Sequence, residues 1–145
     1  MLAWRLCRRP HADLSGEGAR RLGGRWNSPG RPLIYLAEHP ALAALEVRVH
    51  LDLPFDLLPA DYVLLSISVP DGSIRDTASA ADTVATGNAW LAARDTAALR
   101  VPSVLVSYAF NVLLNPLHPA AADAAIASIE PFCFDPRLWQ PLGHE

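Results

Sequence analysis

The sequence predicts an α+β fold in a single domain. The chain has 145 residues, which suits one domain, and 51% of them are hydrophobic, enough to form a core. Residues 62–69 alternate in polarity and are rich in Val and Ile, which is typical of a strand. Residues 40–51 begin with Pro and continue with closely spaced apolar residues, which is typical of a helix.

Short apolar runs, bounded by Gly, Pro or polar residues, predict most of the remaining elements. The predicted strands are 2–7, 32–37, 62–69, 103–108 and 126–134, and the predicted helices are 40–51 and 89–99. Asn88 is a suitable N-cap for the second helix. In the first strand we expect Trp4 and Leu6 to face one side and Arg5 the other.

The longest connection, residues 11–31, contains five glycines. Loops of this length without regular structure are usually functional or disordered. Because Leu14, Leu22 and Trp26 give this one apolar anchors, we expect an ordered loop folded over a site.

The charge distribution favours a small anionic ligand. Seven of the twelve basic residues, all Arg, lie in residues 1–31 against two acidic ones, so that segment has a net charge of +5. The remainder, with five Arg and 13 acidic residues, has a net charge of −8. This pattern suits a phosphate-bearing small molecule better than a nucleic-acid backbone, although a solvated basic loop would look the same. The absence of Lys excludes a P-loop and a Schiff-base lysine.

Several other classes are not expected. No run of about 18 apolar residues predicts a transmembrane helix, and the charged first residues are unlike a signal peptide, so we expect a cytoplasmic protein. Cys7 and Cys133 are therefore expected to be reduced thiols. The five His residues are scattered, and no spacing predicts a metal site.

Three residues between positions 23 and 46 are hard to explain as ordinary structure. Arg25 lies in a Gly-rich loop, and its planar guanidinium suits phosphate, although a solvated loop Arg is the alternative. Tyr35 lies in a short strand, where a core aromatic is the alternative. Glu46 lies beside an apolar helix stripe with no Arg three or four positions away, although a surface Glu is the alternative.

Together these residues resemble the RES domain family, the toxins of a bacterial toxin–antitoxin system. The likeness lies in the motifs G-R-W-N-S-P-G, Y-L-A and A-L-A-A-L-E, and in the later motifs P-S-V-L-V and N-V-L-L-N-P-L-H-P. Ten positions separate Arg25 from Tyr35, and eleven separate Tyr35 from Glu46, as in the family's Arg–Tyr–Glu arrangement. The likeness extends over nearly the whole chain.

The resemblance implies a mixed central β-sheet with flanking helices and an NAD cleft like that of ADP-ribosyltransferases. It implies that Glu46, Arg25 and Tyr35 are catalytic. The residues expected to bind NAD are Arg25, Tyr35, Ser103, Arg5 and Asn115. For Arg5, Ser103 and Asn115 a structural role is the alternative. Because the G-x-G-x-x-G fingerprint is absent, NAD is expected to be a substrate in a cleft and not a Rossmann cofactor, and no metal is expected.

The resemblance also implies a function and a partner. We expect a toxin that cleaves NAD at the nicotinamide–ribose bond by hydrolysis or phosphorolysis. The alternative is an ADP-ribosyltransferase acting on a protein such as phosphoribosyl-pyrophosphate synthetase. The implied partner is an Xre-like antitoxin that blocks the cleft, with a homodimer of this chain within the complex as a further expectation. No direct contact with nucleic acid or membrane is expected.

Two rival interpretations come from the residues themselves. A hydrolase using Ser103, His118 and Asp123 has the required residue types, but the G-x-S-x-G elbow is missing. A non-catalytic domain that binds a nucleotide or a partner is the second rival.

Overall fold

Seven strands form one mixed β-sheet in the computed structural model, which describes residues 1–78 and 80–139. The strands are β1 (Leu2–Arg8), β2 (Ile34–Ala37), β3 (Tyr62–Ser68), β4 (Ile74–Asp76), β5 (Ala98–Pro102), β6 (Phe110–Leu114) and β7 (Ala125–Pro131). The helices are α1 (Glu17–Leu22), α2 (Pro40–Val49) and α3 (Thr83–Ala93). The strand order is β4-β5-β6-β2-β1-β3-β7, with β4 and β5 parallel and the other neighbours antiparallel. The predicted α+β class with a mixed sheet is confirmed.

Both faces of the sheet are apolar because side chains alternate along each strand. One face carries a buried cluster that includes Leu36, Leu65 and Val112. On the other face, Leu99 and Leu113 pack with Trp90 of α3. The sheet therefore supports a core on each side.

The sheet is divided at its centre. Strands β1 and β3 pair along their whole length, from Leu2↔Ser68 to Arg8↔Tyr62. Strands β1 and β2, by contrast, share the single pair Trp4↔Ala37. The two halves of the sheet meet at this pair and diverge beyond it, which leaves room for a cleft between the two strands.

Local capping explains where α2 begins. Pro40 occupies the first turn, and His39 Nδ1 accepts a hydrogen bond (3.0 Å) from the Ala41 backbone N–H. Leu42 and Ala43 are buried in a cluster with Ala37 of β2, which seats the helix on the sheet. This packing fixes the direction in which Glu46 projects.

The structure corrects two predicted elements. The helix expected at 89–99 is α3, which begins at Thr83, seven residues after β4 ends, under the cap of Asp82. It ends at Ala93, directly before Arg94, which has a positive φ of 56°. The strand expected at 103–108 is a turn that joins β5 to β6. Its apolar residues suggested a strand, but they are largely exposed to solvent.

Other predictions need smaller adjustments. The last strand ends at Pro131 and not at residue 134. The loop 11–31 is ordered as expected, and it contains the short helix α1. Cys7 and Cys133 are free thiols. Across the described ranges, no helix combines the length and apolarity needed to cross a membrane.

Candidate functional site

A cavity of about 480 Å³ opens where β1 and β2 diverge. Arg5 and Cys7 of β1 line one side, and Ile34 and Tyr35 of β2 line the other. Residues of the 11–22 segment close it, so the predicted ordered loop does fold over a cavity. This volume is within the range of about 300–1,000 Å³ that small-molecule sites occupy.

The Tyr35 hydroxyl holds the loop 23–28, called here the arginine loop. Tyr35 Oη accepts a hydrogen bond from the Trp26 backbone N–H (2.9 Å) and donates one to Asn27 Oδ1 (2.6 Å). Gly24 allows this approach, because a Cβ there would lie 2.7 Å from the hydroxyl oxygen. Burial raises the pKa of Tyr35, so the hydroxyl stays protonated and able to donate.

Helix α3 contacts the arginine loop on the side away from Tyr35. Thr83 Oγ1 donates a hydrogen bond to the Arg25 carbonyl oxygen (2.6 Å), and Asn88 makes two hydrogen bonds with Ser28 (3.1 and 3.0 Å). Gly87 lies against the Trp26 carbonyl, and any Cβ at this position would overlap it. The backbone that carries the exposed Arg25 side chain is therefore held between β2 and α3.

Glu46 of α2 is half-buried and held by Asn111 of β6. Asn111 Nδ2 donates to both carboxylate oxygens (2.8 and 2.9 Å) and lies 3.2 Å from the Leu36 carbonyl oxygen. Burial raises the pKa of Glu46, whereas the Asn111 hydrogen bonds and the nearby His50 oppose that increase. Glu46 is therefore not a freely solvated carboxylate, since Asn111 of the sheet holds it.

Strand β2 connects the two parts of the site. Tyr35 and Ala37 project from the same face, about 7 Å apart along the strand. Ala37 pairs with Asn111, which holds Glu46. Tyr35 and the Glu46–Asn111 pair thus lie on one face of the sheet, beside the point where β1 and β2 diverge.

Sequence reasoning did not select Asn111. The residue belongs to the motif N-V-L-L-N-P, whose central apolar residues, Val-Leu-Leu, are typical of a strand. In a strand, Asn111 and Leu113 project from the same face, because side chains two positions apart do so. A strand prediction for residues 110–114, paired with β2, would therefore have placed Asn111 on the face that carries Tyr35.

Ser103 lies directly after β5, at the same end of the sheet as Asn111. Its backbone N–H donates to the Ala109 carbonyl oxygen (2.8 Å), and its Oγ accepts hydrogen bonds from Leu105 N (3.0 Å) and Val106 N (3.3 Å). These contacts fix the turn. The side chain is half-buried beside the strand end that carries Asn111.

Arg5 and Asn115 have contacts of different kinds. Arg5 lines the cavity, and its Nη1 donates to the carbonyl oxygens of His11 (3.0 Å) and Asp13 (2.9 Å). Asn115 lies at the other end of β6 from Asn111, about 13 Å away along the strand. Arg5 is therefore at the cavity. Asn115 is apart from Asn111 and Glu46, but it lies only two positions beyond Leu113, the strand partner of Tyr35.

The arrangement of β6 argues against the hydrolase alternative. Ser103 lies beside the start of this strand, and His118 follows its end. His118 Nδ1 accepts a hydrogen bond from the Ala120 backbone N–H (3.0 Å), as a cap of the following turn. The Ser–His contact that such a hydrolase needs is not formed.

Comparison with known proteins gives a consistent family. The sequence model of the RES domain matches residues 2–135. The protein named "Toxin Res" of Pseudomonas putida is 37% identical over 148 residues, covering 96% of this chain and all of the relative. The "Prs ADP-ribosylating toxin" of a Sphingobium species is 36% identical over 141 residues, covering 87% of this chain and 86% of the relative.

A third relative extends the comparison to a solved structure. The "NAD(+) phosphorylase MbcT" of Mycobacterium tuberculosis is 43% identical over 72 residues, covering 46% of this chain and 39% of MbcT. The crystal structure of the M. tuberculosis MbcT–MbcA toxin–antitoxin complex matches with a TM-score of 0.77 at 23% identity, covering 95% of this chain and 86% of the matched one. That likeness concerns the fold.

Proposed function

Since this chain belongs to the RES domain family, we propose that it is the toxin of a toxin–antitoxin pair and cleaves NAD at the nicotinamide–ribose bond. The observation that carries the proposal is the Glu46 carboxylate, half-buried and held by Asn111 on the face of the sheet that carries Tyr35. The names of the relatives, two of which refer to NAD phosphorolysis and ADP-ribosylation, agree with this chemistry.

The proposed role of Glu46 follows from the reaction. Breaking the nicotinamide–ribose bond develops positive charge on the ribose in the transition state. A carboxylate fixed before the reaction stabilises that charge without reorganising, and such stabilisation is often the largest catalytic term. The hydrogen bonds from Asn111 supply the fixation, and the half-buried position reduces solvent screening. The same carboxylate is placed to act as a general base toward an incoming nucleophile.

The other predicted residues have supporting roles. In the proposal, Arg25 binds the pyrophosphate or the ribose side, and Tyr35 holds the nicotinamide ring through its own ring. Ser103 positions the nicotinamide amide or a ribose hydroxyl. Arg5 contributes to the wall of the cleft while anchoring the covering loop at His11. These roles require no metal.

An exposed apolar turn beside the Asn111 end of β6 supports a protein partner next to Glu46. Val104, Leu105, Val106 and Tyr108 are exposed between β5 and β6, and Tyr108 is 97% exposed. Apolar side chains grouped in this way mark interaction sites. We propose that an Xre-like antitoxin covers this turn and blocks the cleft beside Ser103, and that both proteins act in the cytoplasm. A homodimer within that complex stays a prediction.

The destination of the ADP-ribose separates the candidate functions. We place water or phosphate first, and transfer to a protein second. The same exposed turn favours the second candidate, because a protein acceptor would need a docking surface next to the site. A domain that binds NAD without cleaving it is the remaining alternative.

Product analysis distinguishes these functions. Antitoxin-free protein is incubated with NAD labelled in its adenylate part, with and without inorganic phosphate, and in parallel with a cell lysate. ADP-ribose, or its 1-phosphate when phosphate is present, supports NAD cleavage. A labelled protein band supports the transferase, and retention of intact NAD by folded protein would contradict both.

The antitoxin proposal is tested on the exposed turn. Leu105→Asp is expected to weaken the complex with the antitoxin at least about tenfold, since it places a charge in an apolar contact. Ile129→Asp is the matched control, because Ile129 is also an exposed apolar residue but lies on β7, the strand at the opposite edge of the sheet. Equal affinities of the two variants would argue against this docking surface.

A further inference from the structure

A second cavity, of about 440 Å³, lies at the end of β6 that is remote from Asn111. Pro32 and Leu91 give it apolar walls, and Arg31, Arg94 and Asn115 give it polar groups. None of the lining residues that the structure describes is acidic. We call it the Asn115 cavity.

Asn115 presents a fixed and unused donor to this cavity. The residue is only 2% exposed, and its backbone N–H donates to the Ala97 carbonyl oxygen (2.8 Å). Its Oδ1 accepts a hydrogen bond from the Leu117 backbone N–H (3.0 Å), which identifies the other side-chain atom as the amide nitrogen. That Nδ2 donates to no group among residues 1–78 and 80–139. Among the described residues, no fully buried side-chain nitrogen or oxygen lacks a hydrogen-bond partner, so Nδ2 is an accessible atom of this otherwise buried residue and is open to an acceptor in the cavity.

Two guanidinium groups stand at the same cavity. Within the described part of the chain, neither Arg31 nor Arg94 forms a side-chain hydrogen bond or an ion pair. Arg94 also has a positive φ of 56° directly after α3, a position where Gly is favoured because a side chain costs energy. The Arg94 side chain therefore makes this backbone conformation less favourable than Gly would.

The chemistry of these three donors indicates the ligand. We propose that the Asn115 cavity binds a phosphate group, either free or on a small metabolite. Two guanidinium groups and one amide supply more donors than a carboxylate with two oxygens can accept from, which suits an oxyanion with three or more acceptor oxygens better. The charge of a phosphate group, about −1.5 to −2 at neutral pH, suits a cavity with two Arg residues. In the described part of the chain, no residue that lines this cavity also lines the cavity at Tyr35, and the proposal does not depend on the proposed function.

The test follows the Asn115 side-chain amide in ¹⁵N NMR spectra of the whole chain during titration with inorganic phosphate. The amide resonances are expected to shift and to saturate. Arg31→Gln and Arg94→Gln are each expected to weaken that binding at least about tenfold, the loss of one charge-assisted hydrogen bond. Arg75→Gln, whose residue pairs with Asp95 outside the cavity, is the matched control and should bind as the native chain does. Acetate at the same ionic strength should bind at least about tenfold more weakly.

Ribose 5-phosphate in a parallel titration identifies the source of the phosphate group. Tighter binding than inorganic phosphate indicates a metabolite, and equal binding indicates the free ion. Both results support the proposal. The proposal would be overturned if the Asn115 amide resonances did not shift with either inorganic phosphate or ribose 5-phosphate. It would also be overturned if Arg31→Gln and Arg94→Gln both bound phosphate as the native chain does. Nicotinamide release, measured on the same samples, reports separately on the proposed function.

Discussion

The hydrogen bonds from Asn111 to Glu46 make a specific prediction about pH dependence. Asn111→Ala removes the donor that contacts both carboxylate oxygens. A hydrogen bond to a charged group contributes about 1.5–3 kcal/mol, and one pKa unit corresponds to about 1.36 kcal/mol. Because Glu46 is only half-buried, solvent replaces part of the loss, and the smaller value applies. The pKa of Glu46 should therefore rise by about one unit in the variant.

The sign of the effect on activity follows from the role of the carboxylate. If Glu46 acts in its ionised form, kcat/KM increases as the pH rises through its pKa in the free enzyme. Burial already raises this pKa in the native chain, and the variant moves it further in the same direction. The acidic limb of the profile should move about one unit to higher pH, with an additional loss of activity at neutral pH because the carboxylate is less well fixed.

The assay is nicotinamide release measured from pH 4.5 to 8 for the native chain and the variant. Asn115→Ala is a matched control, because it removes a buried Asn at the opposite end of β6. It should leave the position of the acidic limb unchanged even if the fold loses stability. An unchanged limb in folded Asn111→Ala would refute the assignment of Glu46 as the titrating group held by Asn111.

Three further predictions concern the loop and the stability of the fold. Tyr35→Phe keeps the ring but loses two hydrogen bonds to the arginine loop, so the free energy of unfolding should fall by about 1–2 kcal/mol. In steady-state kinetics, KM for NAD should rise by a larger factor than kcat falls. In urea unfolding, Gly87→Ala should lower the free energy of unfolding by more than about 2 kcal/mol, because its Cβ overlaps the Trp26 carbonyl. Gly18→Ala in α1, where a Cβ meets open space, should raise the free energy of unfolding by roughly 0.5–1 kcal/mol. Glu46→Gln should raise the free energy of unfolding at pH 7, since a raised pKa means that the ionised carboxylate is disfavoured in the fold. That gain should disappear below the ordinary Glu pKa of about 4.3, which unfolding at pH 7 and pH 4 would test.

The elements predicted correctly from the sequence are those specified by local signals. Residues 62–69 alternate in polarity, and Pro40 marks the first turn of α2, so the sequence alone predicted both. The sequence predicts a strand at residues 103–108, where the structure has a turn, because a run such as Val-Leu-Val is apolar whether it is buried or exposed. Only the antiparallel pairing of β5 with β6 makes this segment a hairpin turn.

The site divides in the same way. Arg25, Tyr35 and Glu46 lie within 22 positions, and their motifs identified them. Asn111 was missed because its role depends on the pairing of β6 with β2, which joins residues 74 positions apart in the sequence at Ala37↔Asn111. Local patterns contain no information about such pairing, and long-range contacts decide it.

Nicotinamide release from NAD by the antitoxin-free chain, compared between Glu46→Gln and Glu130→Gln, tests the proposed function most directly. Glu130 is an exposed carboxylate on β7, so Glu130→Gln should match the native chain. Glu46→Gln keeps the shape of the side chain and should lower the rate at least about 100-fold, as expected when a group that stabilises developing charge is removed. Equal rates of release by the two variants, or no release by the folded native chain, would contradict the account.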